Sequence, residues 1–83
     1  MTITTDSTLE KRLEYYLGLP YQWLVTTDDE GFAVRVVGLP GCITHAQQWE
    51  DIPARVTEAM HSWIATSLEY GDPIPEPEQI GHI

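Results

Sequence analysis

The sequence predicts an α+β domain in which a three-stranded antiparallel sheet packs on one long helix, with a short helix in front. Three observations carry that reading. Two stretches with apolar and polar residues alternating flank an acidic turn, Asp28-Asp29-Glu30-Gly31, which is the pattern of a hairpin. A rigid corner, Gly38-Leu39-Pro40-Gly41, then leads into a third short stretch. Last comes a long run with apolar residues at helical spacing, residues 50–70.

Taken in order, Ser7-Thr8-Leu9-Glu10 reads as a capping box, so a helix is expected over residues 7–17. Leu9, Leu13, Tyr16 and Leu17 give it an apolar side, and Gly18 and Pro20 stop it. The sheet is expected within residues 19–46. In its first strand Tyr21, Trp23 and Val25 share a face, and in the return strand Phe32, Val34 and Val36 do. These faces should pair across the hairpin and form the buried side. Leu39 is a bulky apolar residue inside a turn, which points to a corner folded back onto the core. Residues 42–46 make the third strand. The main helix is expected to show a stripe of Ile52, Val56, Ala59, Met60, Trp63, Ser67 and Leu68. Pro53 places its start nearby, and Gly71 ends it. The expected core is therefore Trp23, Val25, Val34, Val36, Leu39, Val56, Met60 and Trp63. Residues 71–83 form a proline-rich tail in which 79–83 offers a short fourth strand.

Eighty-three residues suit one domain, 1–83. At this size burial barely offsets the cost of ordering the chain, so a homo-oligomer, a dimer for choice, is expected. A single cysteine forbids an internal disulfide, and no apolar run is long enough for a signal peptide or a membrane span. A cytoplasmic protein is expected. Thirteen acidic residues against four Lys and Arg leave a net charge of −9. Direct nucleic-acid binding by this chain alone is then not expected, because phosphate contacts need clustered cations. A basic protein partner fits the charge, although net charge also serves solubility alone.

No catalytic constellation emerges. The three histidines have no spacing that joins two on one helix face, and no CxxC, HxxxH or HExxH pattern occurs. No metal and no cofactor are expected. Cys42 reads as a small apolar group rather than a nucleophile, since His45 falls on the opposite strand face. Asp28, Asp29 and Glu30 lack the further oxygen ligands of a cation loop and read as a solvated hairpin tip. Trp49, at the edge of the helical stripe, is either part of a contact surface or a staple closing the helix start.

Several linked pieces resemble the HicB-like antitoxin family between Leu19 and Pro77. They are Leu19-Pro20-Tyr21, Asp29-Glu30-Gly31-Phe32, Leu39-Pro40-Gly41-Cys42, Glu58-Ala59-Met60 with Trp63-Ile64, and Gly71-Asp72-Pro73-Ile74-Pro75-Glu76-Pro77. The resemblance implies a truncated RNase H-like fold without nuclease activity. It also implies a type II toxin-antitoxin role: neutralising a small basic HicA-like toxin that cleaves messenger RNA. Many such proteins carry a DNA-binding module after the helix; this chain stops at Ile83, so autorepression by it alone is not expected. The sequence departs from the family at Ala46-Gln47-Gln48, at Pro53 and at Val37. The candidate toxin contacts, from charge and position, are Asp28, Asp29, Glu30, Trp49, Glu50 and Asp51. The alternatives are a solitary dimeric scaffold or regulatory domain, and a residual RNase H-like hydrolase. The hydrolase would need carboxylates converging on metal ions.

Overall fold

The computed structural model describes residues 3–77, with side chains from Thr8 onward. Helix α1 (Ile3–Leu17) is followed by strands β1 (Trp23–Asp28), β2 (Gly31–Val36) and β3 (Ile43–Ala46). A short 3₁₀ turn over Trp49–Asp51 leads directly into helix α2 (Ile52–Tyr70). The sheet is antiparallel in the order β1-β2-β3, which is the expected α+β arrangement.

Helix α1 starts four residues earlier than the capping signal suggested, so Ser7 lies inside it rather than at its cap. Neither Gly nor Pro occurs before Gly18 to interrupt the turns. The helix packs on α2 through Leu13, Tyr16 and Leu17.

The register pairs Trp23 with Val36, Val25 with Val34, and Thr27 with Phe32. Directly opposed residues share a face, so alternation assigned the faces as they occur. Val34, Val36 and Ala46 are buried against α2. The other face, with Leu24, Arg35 and Ile43 in one cross-strand row, is open to solvent. Helix α2 lies over β3 and β2. The expectation of Trp23 in the core is therefore corrected: it points to the covered face but stands beyond the helix, 43% exposed on the edge strand. Tyr21 is buried but precedes the strand, which begins at Trp23.

The corner holds itself by hydrogen bonds. The Leu39 amide donates to the Val36 carbonyl and the Cys42 amide to the Leu39 carbonyl, while Val36 donates back to Cys42. Leu39, thus aimed inward, is only 1% exposed. The Trp63 indole N–H donates to the Pro40 carbonyl at 2.7 Å and clamps the corner to α2. Trp63, expected in the core, packs against it half-buried, and the expected stripe left out Ile64. The centre of the α2 stripe is Ile64, with no exposure at all, between Val56, Met60 and Leu68.

At its end α2 closes in a Schellman motif. Gly71 adopts φ 74°, its amide donates to the Leu68 carbonyl, and Asp72 donates to Ser67. Residues 72–76 then return irregularly across the core and bury Ile74. The Tyr21 hydroxyl donates to the Pro75 carbonyl, and the Tyr15 hydroxyl reaches both Glu76 carboxylate oxygens at 3.1 and 3.2 Å. The fourth strand expected over 79–83 lies outside the described residues.

Burial, and then the Glu76 carboxylate, pushes the Tyr21 hydroxyl up to about 12. The folded state therefore holds this proton more tightly than the unfolded chain does. Its contribution is intact below pH 10 and is lost as pH rises through about 12. Urea midpoints measured from pH 9 to 12 should fall more steeply for the parent than for Tyr21→Phe. Equal slopes would show that Tyr21 does not link pH to stability.

Candidate functional site

The hairpin end of the sheet brings together residues that are far apart in the sequence. Asp28 closes the tip by accepting the Glu30 amide at 2.8 Å, an Asx-type turn. Its carboxylate also lies 3.6 Å from His45 Nε2. Gly31, at φ 133°, lets the tip press against the segment that leaves β3. A Cβ there would stand 2.5 Å from the Ala46 carbonyl oxygen and 2.9 Å from the Gln47 Cα, so only glycine fits. Next along β2, the Phe32 ring meets the Trp49 ring edge-on, with centroids 5.4 Å apart and planes at 70°.

These two contacts join the hairpin tip to the entrance of α2. Asp28, Asp29 and Glu30 lie at the hairpin tip, Glu50 and Asp51 follow Trp49 in the 3₁₀ turn, and all five are exposed. No Lys or Arg occurs between Arg12 and Arg35, or between Arg35 and Arg55. Arg35 lies on the other face of the sheet, and Arg55 stands 3.6 Å from Glu58. The end is thus rich in carboxylates, with Arg55 in the first turn of α2 the nearest Lys or Arg along the chain to Glu50 and Asp51.

Trp49 packs on Phe32 and still exposes 63% of its surface. Beside it runs an open groove of about 190 Å³ lined by Trp23, Val25, Trp49, Glu50, Ile52 and Pro53. Sequence reasoning singled out Trp49 and Glu50 but placed Trp23 in the core and did not connect it with them. The signal was present in part, as two tryptophans flanking the hairpin. That the helix stops short of β1 was not legible.

Among the described residues no three His, Cys, Asp or Glu side chains gather where they could hold a metal ion. Cys42 is buried, and desolvation pushes its thiol up, away from the reactive thiolate. Its neighbour His45 is exposed and turned to Asp28. No helix among the described residues is long and apolar enough to cross a membrane.

A family model described as the HicB_like antitoxin of bacterial toxin-antitoxin systems matches residues 21–83. The chain belongs to this family. Searches of curated proteins and of solved structures returned no match. The HicB-like part of the chain thus covers the sheet, the acidic hairpin end, α2 and the returning tail, while α1 precedes it. Membership implies a toxin as partner in general terms.

Proposed function

We propose that this HicB-like chain neutralises a small, basic, HicA-like mRNA-cleaving toxin in the cytoplasm by direct protein contact, with no catalysis of its own. The observation that carries the reading is the acidic hairpin end, where five exposed carboxylates, Asp28, Asp29, Glu30, Glu50 and Asp51, lie on two segments joined by the Phe32–Trp49 contact. A toxin that cleaves RNA must present cations to phosphates. Carboxylates at this end compete for the same cations, and their field draws the toxin in before contact. A homodimer belongs to the same reading, since β1 and β3 both leave sheet edges unpaired among the described residues.

The test is association with the product of the adjacent reading frame, which this reading expects to be small and basic, measured at two salt concentrations. Asp28→Asn, Asp29→Asn and Glu30→Gln combined should slow association by about tenfold at low salt and flatten its salt dependence. The variant should melt like the parent, because the three residues sit in an exposed turn. Sedimentation of the same samples at micromolar concentration reports the dimer. An on-rate insensitive to salt and unchanged in the variant rejects the steering role. Failure of the folded parent to bind rejects the toxin reading and leaves a solitary scaffold.

A further inference from the structure

Steering by exposed charge sets the rate of encounter; it does not by itself hold a complex together. Affinity comes from a few desolvated, well-packed anchors, often aromatic, with charged residues around them. The Trp23–Trp49 groove has that make-up. Its lining is two tryptophans, Val25, Ile52 and Pro53 with a single carboxylate, Glu50, and the acidic tip is joined to it through the Phe32–Trp49 contact. It is also the place where the covered face of the sheet outruns α2.

We infer that the groove between Trp23 and Trp49 anchors a bulky apolar side chain of a basic protein partner, flanked by that partner's Lys and Arg. This rests on the antitoxin reading above and names the part of the surface that holds the toxin. Charge selects the occupant. A second copy of this chain brings its own net −9 and the same acidic end. Seated here about a twofold axis, it would set carboxylates against carboxylates, and like charges in contact oppose the pairing. A basic partner meets the same carboxylates with opposite charge while its apolar residue fills the space between the tryptophans.

The experiment measures dissociation of the neighbouring basic protein from the parent, Trp49→Ala, Trp49→Phe and Leu24→Ala. Trp49 is largely exposed, so its truncation should leave the fold intact, and thermal melting checks this. Trp49→Ala should dissociate about thirtyfold faster, with an on-rate and salt dependence close to those of the parent. Trp49→Phe should recover most of the loss. Leu24→Ala, on the open face of the sheet, should bind like the parent. If the parent binds and Trp49→Ala dissociates no faster, the groove is not the anchor and the antitoxin reading survives alone. If the parent binds no basic neighbour, both fall. Trp49→Ala abolishing a homodimer while sparing the basic partner would assign the groove to a second copy and overturn the inference. A chain ending at Pro77 that binds the partner more tightly would assign it to residues 78–83, with the same consequence.

Discussion

Ile64→Ala lowers the unfolding free energy by about 4 kcal/mol, a large part of what a domain of this size possesses. Ile64 is fully enclosed and belongs to the same buried cluster as Val56, Met60 and Leu68 of α2 and Val34 and Val36 of the sheet. Removing its outer carbons leaves a cavity that a helix fixed at both ends cannot close. At one end Ile52 and the 3₁₀ turn hold it; at the other the Schellman motif does. Urea titration should show a lower midpoint with an unchanged slope. A midpoint within experimental error of the parent would mean that the core collapses around the gap. Trp63→Ala, at a residue the sequence placed in the core, should cost less than Ile64→Ala. Its indole is half-buried at the margin, so what is lost is packing on one side and the bond to Pro40.

Leu39→Ala should cost about 3 kcal/mol. Leu39 is as enclosed as any strand residue, yet it belongs to a turn. Its side chain ties the β2–β3 connection to the core while its amide and carbonyl close the two turns around it. Calorimetry should give a single, lower transition. Two separate transitions would show that the corner melts apart from the sheet, contrary to a shared core.

The hairpin was legible because strand alternation is a local signal. Tyr21 through Val25 and Phe32 through Val36 carry it without help from the rest of the chain. The corner was legible because Gly38, Pro40 and Gly41 restrict the backbone wherever they stand, and an apolar Leu39 among them has few other uses. What was missed depended on reach. Trp23 has the right face, but whether a helix covers that face depends on how α2 lies over β3 and β2. Trp63 and Ile64 are adjacent on the helix, and spacing alone allowed either to be central. The larger, amphipathic ring took the boundary, where its N–H finds a carbonyl, and the purely apolar Ile64 took the centre. At the candidate site both acidic groups were nominated from the sequence. Their meeting depends on Gly31 pressing on Ala46 and Gln47, a backbone approach that a lone glycine in a turn does not announce.

The returning tail bears on the order of events in folding. The Tyr21–Pro75 bond spans 54 residues and the Tyr15–Glu76 bond 61, against hairpin pairs from Asp28–Gly31 out to Trp23–Val36 that are all far closer in sequence. Contacts of such long separation close late, after the local hairpin and helix have shortened the path between them. Interactions absent from the transition state govern how fast a native chain opens rather than how fast it forms. Removing either tyrosine hydroxyl is therefore expected to shorten the lifetime of the folded molecule more than it slows its formation, which unfolding and refolding rates of Tyr15→Phe and Tyr21→Phe would check.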